Sequence, residues 1–242
     1  MGLQGEDYKI DIAFVIDATG SMGPIMASVK ASALSLGDQI VKALSDAKKP
    51  VEQLRMRVID FADYATEADD AIHQTDFYTM PADKQKFTDA INNIQYDRRG
   101  GDIPENALEA LFIAMNSDWV PLAKGEKGRH IIIMMTDAYP LKLHERDGSM
   151  GYVADDFPSN VQELQNIWDA AGSQDATTSL SRKNRRLILF VPDGDDGAGH
   201  GWGDVLGWDY AATKIVDPAK GLDGIDMSYI ITEIVRSATD DE

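Results

Sequence analysis

Hydrophobic and polar positions along the 242-residue chain fall into two alternating rhythms. Residues 10–16 read IDIAFVI, an apolar run of strand length that closes on Asp17 before a turn containing Gly20. From Met22 the period changes. Met22, Ile25, Met26, Val29, Ala33, Leu36, Ile40 and Leu44 recur at helical spacing, which predicts a long amphipathic helix to about Lys48, stopped near Pro50. Residues 54–61 (LRMRVIDF) alternate as a strand does, and 71–75 suit a short edge strand. Helices are expected over 82–94 and 104–115, the second with Pro104 in its first turn. Residues 129–136 (RHIIIMMT) read as a buried strand closed by Asp137, and 157–171 as a helix. Residues 186–191 (RLILFV) form a strand ending at Pro192 and Asp193, and 227–238 the last helix.

Strands alternating with helices imply right-handed crossovers, hence an α/β fold. The expected architecture is a doubly wound, mainly parallel central sheet flanked by helices on both faces, with one short antiparallel edge strand. No internal repeat, low-complexity segment or Ser/Pro/Gly-rich linker divides the chain. Residues 8–238 are therefore read as one domain, 1–7 as an N-terminal extension and 239–242 as a frayed acidic tail. In such sheets ligands bind beyond the carboxyl ends of the strands. Asp17, Asp137 and Asp193 all fall there.

Composition narrows the partners. The 41 acidic residues against 23 basic ones give a formal net charge of −18. Such a surface aids solubility, repels nucleic acid and anionic membranes, and favours cations and basic protein patches. With no cysteine, disulfides and thiolate metal sites are excluded. Residues 1–6 are polar and acidic, without a basic stretch followed by an apolar one, and the longest apolar runs, such as 131–135, are too short for a bilayer. The cytoplasm is the expected location.

The segment Asp17-Ala18-Thr19-Gly20-Ser21-Met22 sets one carboxylate and two hydroxyls at alternate positions of a strand-to-helix loop. These are hard oxygen donors of the kind Mg²⁺ prefers, and the spacing lets them converge. This segment resembles the DxTGSM signature of von Willebrand factor A (vWA) domains, in the variant common among bacterial members. Gly100-Gly101-Asp102-Ile103-Pro104-Glu105 resembles that family's second loop, and Met135-Thr136-Asp137-Ala138 its third. The resemblance spans residues 8–238 and implies a metal ion-dependent adhesion site (MIDAS). Its ligands would be Asp17, Thr19, Ser21, Asp102 and Asp137, around Mg²⁺ with Mn²⁺ or Ca²⁺ as substitutes. Many members supply a threonine where this chain has Asp102. Three aspartates beside a divalent ion leave a local charge of −1, which weakens the pull on a partner's carboxylate. The same residues also make turns and caps: Ser21 or Thr19 as an N-cap worth about 1 kcal/mol, and Asp102 as the cap of a helix from Pro104, with Glu105 favourable in its first turn.

Other features carry less chemistry. Residues 193–204 resemble part of a calcium loop, but the fifth position is Gly197 and the sixth is Ala198, so an acidic loop is the better reading. Trp202 and Trp208 lie among glycines after a strand, either as a packed lid or as interface anchors. With Tyr139 they are the candidate partner-binding rim, and residues 139–153 extend it. His73, His130, His144 and His200 have no second histidine or cysteine at ligand spacing, which disfavours zinc. The basic run 182–186 (RKNRR) reads as a solvated loop.

The implied function is a non-enzymatic, metal-dependent module that recruits a protein partner, with no nucleic acid or membrane partner and no oligomeric state specified. A Mg²⁺-dependent hydrolase of the haloacid dehalogenase type is the enzymatic alternative. It needs a second aspartate two residues after the first, and Thr19 stands there. No phosphate-cradling GxxxxGK[ST] loop occurs. A domain whose metal only ties loops together is the third reading.

Overall fold

The computed structural model describes residues 8–96, 104–145, 157–173, 178–180, 182–216 and 227–239. Its centre is a sheet of seven strands: β1 (Tyr8–Asp17), β2 (Val51–Phe61), β3 (Ile72–Gln74), β4 (Tyr78–Met80), β5 (Lys127–Met135), β6 (Arg185–Pro192) and β7 (Ala211–Val216). The order is β3-β2-β1-β5-β6-β7, parallel from β2 to β7. The expected antiparallel edge comes in two pieces: β3 and β4 both pair with the outer side of β2.

The apolar runs are continuous because both faces of the sheet are buried. Alternate side chains of β1 divide between two cores: Ile10, Ile12, Phe14 and Ile16 on one face, Ala13 and Val15 on the other. Strand β5 does the same with Ile131, Ile133 and Met135 against Ile132 and Met134. The first core is closed by α1 (Gly23–Asp46), α3 (Lys84–Asn92) and α7 (Met227–Thr239), after the single turn α2 (Tyr64–Glu67). Each residue of the predicted helical stripe from Met22 to Leu44 is buried there. A Cβ on Gly37 would stand 3.0 Å from Met56 Cε and 3.3 Å from Leu54, so the absent side chain lets α1 lie close on β2. The second core lies under α4 (Ala107–Met115), α5 (Val161–Ala170) and the short α6 (Gly203–Leu206). No helix among the described residues is long and apolar enough to cross a membrane.

Several boundaries differ from the sequence reading, for local reasons. The helix expected from Pro104 begins at Ala107. Glu105 is instead pinned to the chain after β5, its N–H donating to Tyr139 O at 3.0 Å and its carbonyl accepting from Leu141 N at 2.8 Å. The helix expected from residue 157 begins at Val161 because Asn160 accepts from Glu163 N at 2.9 Å, while Glu163 accepts from Ser159 N at 2.8 Å. That reciprocal cap fixes the start. Strands β4 and β7 and helices α2 and α6 carry no periodicity long enough to read. In the basic run, Arg185 is buried, stacked 4.9 Å from both Trp168 and Tyr210, rather than solvated.

Burial sets a clear contrast for mutation. Ile133, fully buried in the middle of β5, should cost about 2–5 kcal/mol when changed to alanine. Ile215 on edge strand β7 is 44% exposed, and its alanine variant should stay within about 0.5 kcal/mol of the parent. Urea unfolding of both variants checks the order, and equal losses would contradict this assignment of core and edge.

Candidate functional site

The parallel register sets the carboxyl ends of β1 and β5 side by side: Ile16 pairs with Met135, so Asp17 and Asp137 emerge from adjacent strand ends. Asp17 is the last residue of β1 and is fully buried. A carboxylate there must be held by hydrogen bonds, and it is. Thr19 donates twice to Asp17 Oδ1, from its backbone N at 2.9 Å and its hydroxyl at 2.6 Å. Thr136 Oγ1 donates to the other oxygen, Oδ2, at 2.5 Å. The chain of oxygens then climbs outward. Thr19 Oγ1 and Ser21 Oγ are 3.0 Å apart, and Ser21 Oγ donates to Asp137 Oδ1 at 2.9 Å.

Burial follows the same path. Asp17 and Thr19 are buried, Asp137 is half-buried and Ser21 is exposed, so the cluster opens to solvent at Ser21. Neither hydroxyl caps a helix. The 3₁₀ turn Gly20–Met22 has Thr19 at its N-cap without a side-chain bond, and α1 starts after Met22 likewise uncapped. The cap reading of Thr19 and Ser21 is thereby replaced: both hydroxyls face the aspartates.

Burial raises the Asp17 carboxyl to about 6, against the pull of Thr136 and Thr19, and neighbouring Asp137 adds to the rise. Burial also raises Asp137, partly offset by Ser21. A pair of carboxyls reluctant to ionise is a place where a cation would be stabilising.

Among the described residues, no group of three or more histidine, aspartate or glutamate side chains is placed to hold a metal, so hydroxyls would have to complete any set built on Asp17 and Asp137. Asp102 lies outside the described residues. The chain just after it does reach the rim, through the pairing of Glu105 with Pro140. Asp193 follows β6 on this side of the sheet, but its carboxylate accepts from Gly194 N at 2.9 Å.

The proposed rim divides. Tyr139 is half-buried, its hydroxyl donating to Asp193 O at 3.0 Å. Trp202 is fully buried and Trp208 is 3% exposed, so neither presents a contact surface. That corrects the anchor reading in favour of the lid. The reason is packing: Trp208 lies with its ring 6.1 Å from that of Trp168, and Trp202 Nε1 donates to Ala138 O at 3.0 Å. Two supporting roles went unread in the sequence. Thr136, which bonds Asp17 and also accepts from Ala138 N at 2.9 Å, was visible only as the residue before Asp137. Trp202 holds the carbonyl next to Asp137 and had no sequence signal for that role.

The acidic loop 193–201 is closed on itself, with Asp195 Oδ1 accepting from Gly197 N at 2.7 Å and Asp196 Oδ1 from Ala198 N at 2.8 Å. His130, away from this rim, stacks on Trp119 and is held below its ordinary pKa by burial.

A family model described as the von Willebrand factor A domain matches residues 11–148. A search of curated proteins finds no match. Among solved structures, the chain is similar to the pilus adhesin SpaC from Lactobacillus rhamnosus GG in its open conformation, at 13% identity and TM-score 0.55, over 97% of this chain and 31% of that one. A second form of SpaC matches at 11% identity and TM-score 0.53, over 97% and 32%. Proximal thread matrix protein 1 from the mussel byssus, solved with a zinc occupied MIDAS motif, matches at 14% identity and TM-score 0.48, over 97% and 46%. This chain thus spans less than half the length of those three, and the likeness to SpaC is one of fold.

The raised Asp17 carboxyl has a signed consequence for the metal-free protein. The folded state binds its proton more tightly than the unfolded chain does, so the contribution of Asp17 to stability is greatest in acid. It falls as pH rises from about 4, the ordinary aspartate value, to about 6. The Asp17→Asn variant should lose that slope and be the more stable protein above pH ~6 in chelator. Urea unfolding of parent and variant at two pH values measures it; a stability difference between them that is the same at both would show Asp17 to ionise without cost.

Proposed function

The chain belongs to the von Willebrand factor A domain family, and on that premise we propose that the rim around Asp17 binds one divalent cation, Mg²⁺ foremost, and through it a protein partner. One observation carries the reading. Neighbouring corners of an octahedron with metal–oxygen bonds of about 2.1 Å stand about 3 Å apart. Thr19 Oγ1 to Ser21 Oγ is 3.0 Å and Ser21 Oγ to Asp137 Oδ1 is 2.9 Å. These are also the lengths of the hydrogen bonds that join the three groups; what supports the reading is that they gather hard oxygen donors, of the kind such an ion takes, at one point open to solvent.

In this reading Ser21, Thr19 and Asp137 hold the ion at the solvent-facing side, and Asp17 braces Thr19 from below. Asp102 enters as a further donor by family resemblance. The bound ion supplies a Lewis-acidic point for a partner's oxygen. The residues around it exclude water from one side: Trp202 and Thr136 fix the loop carrying Asp137 so that little reorganises when a partner arrives. A basic partner surface suits the net charge of −18. The fold shared with a pilus adhesin suits an adhesion-type role.

Binding is favoured over hydrolysis by the place of Thr19. The hydrolase chemistry needs an ionisable acid there, and this hydroxyl is committed to Asp17 at 2.6 Å. The purely structural alternative is separated by coordination: a binding site keeps an open position, while a structural tie is closed.

Calorimetric titration with Mg²⁺ and Mn²⁺ should give one site per chain. Ser21→Ala should bind about tenfold or more weakly, since a ligand is lost, a change of about 1.4 kcal/mol. Affinity should decline below pH ~6, where protonation of Asp17 removes the negative charge that stands behind Thr19. Absence of binding by the folded parent would sink the proposal. Bound Mn²⁺ should also speed the relaxation of solvent water, because an open site exchanges its waters; a silent ion would favour the structural tie.

A further inference from the structure

Away from the metal-site oxygens, one side chain joins two rim loops through charge. His200 lies near the end of the loop after β6. Its Nδ1 is 2.6 Å from Asp196 Oδ2, and its Nε2 is 2.9 and 2.8 Å from the two oxygens of Glu145. Glu145 belongs to the other loop, the segment after β5 that begins at Asp137. A neutral imidazole has one donor and one acceptor, so it cannot donate to both carboxylates. Only the imidazolium satisfies this geometry.

We infer that His200 is a proton-dependent latch, closed when charged, that fastens the outer part of the segment after β5 to the loop after β6. The two arms of the latch are unequal. Asp196 is four residues away on the same loop and also accepts from Ala198 N at 2.8 Å and His200 N at 3.1 Å, so that arm is held by local backbone. Among the described residues, Glu145 accepts besides the ring only from Lys142 N, at 3.1 Å. When the ring loses its proton, the Glu145 arm is the one that lets go. Tyr139 to Asp193 O and Trp202 to Ala138 O do not depend on that proton, so the part next to Asp137 stays in place. What loosens is residues 141–145.

The surroundings set the sign. Partial burial of His200 disfavours its charge, but the hydrogen bonds and charges of Asp196 and Glu145 outweigh that and raise its pKa. Asp196 is in turn held down to about 2 by His200, and Glu145 lies below its ordinary range, its desolvation outweighed by the bond to the ring. Lys142, whose Nζ stands beside Gly199, and Asp204 on α6 line the same cleft. At α5 the acid is Glu163, turned to Ser159 N, and α4 presents only Leu108. With its folded value raised, the latch is fully closed below the ordinary histidine range and opens as pH rises through the higher, folded value.

His200 also lines a cleft of about 370 Å³ with Leu108, Leu141, Leu143, Val161 and Val205. Loosening residues 141–145 would move Leu141 and Leu143, two of the walls of that cleft. The inference does not rest on the metal reading, because neither His200 nor Glu145 belongs to that oxygen cluster.

The test is NMR on the full chain in chelator, repeated with Mg²⁺, over pH ~6 to ~9. The His200 ring signals give its titration, and amide exchange, corrected for intrinsic rates, gives protection of each loop. The parent should show His200 titrating above the ordinary value while protection of 141–145 falls about tenfold and 196–200 changes little. Glu145→Gln, a half-exposed position that the fold tolerates, should lower the His200 titration and leave 141–145 weakly protected at every pH. Protection of 141–145 that is indifferent to the His200 titration, or a Glu145→Gln protein that titrates and exchanges as the parent does, would overturn the latch. So would a ring that titrates at or below the ordinary histidine value.

Discussion

A carboxylate with no access to water sits at the end of the central strand, and the rim is arranged around it. Asp17 cannot be left bare in that position, because the desolvation of an unpaired charge far exceeds what a single hydrogen bond returns. Thr19 and Thr136 come from different segments and approach opposite oxygens of the same group. Satisfying Asp17 therefore brings the loop after β1 against the strand end of β5. Once those two segments meet, Ser21 and Asp137 have little freedom, and the oxygen cluster follows from the support of one buried acid.

That constraint works only because the sheet is parallel and covered on both faces. Parallel strands send their carboxyl ends to one edge, so loops distant in sequence share a rim. The two cores keep β1 and β5 from slipping, since a shift of one residue would turn Ile12 and Phe14 toward the wrong helices. The outer layer of the rim is held differently. Trp202 plugs the second core and grips a backbone carbonyl, while His200 holds its neighbour through charge. One fastening is indifferent to protons and the other depends on them.

Much of this was legible in the chain. Long periodic segments were read correctly, from the α1 stripe to the strand runs that end in Asp17, Asp137 and Asp193, because burial on one or two faces imprints directly on composition. The convergence of Asp17, Thr19, Ser21 and Asp137 was legible through motif and strand order together. What escaped depends on partners remote in sequence. Nothing in Pro104–Asn106 announces that Glu105 will pair with the chain after β5. Trp202 and Trp208 look alike in a glycine-rich loop whether they face solvent or plug a core, and only the neighbouring Trp168 and the Ala138 carbonyl decide. Arg185 looked solvated in a basic run, but two aromatic rings hold it inside.

The arrangement also bears on the proposal of recognition over turnover. Chemistry at a buried aspartate would require that its oxygens be free to attack or to exchange protons with substrate. Here both oxygens of Asp17 are occupied by threonine hydroxyls, and the groups that reach solvent are Ser21 and the half-buried Asp137. The burial that makes Asp17 hard to ionise would also make a cation at its door stabilising, adding to what the hydrogen bonds of Thr19 and Thr136 already supply.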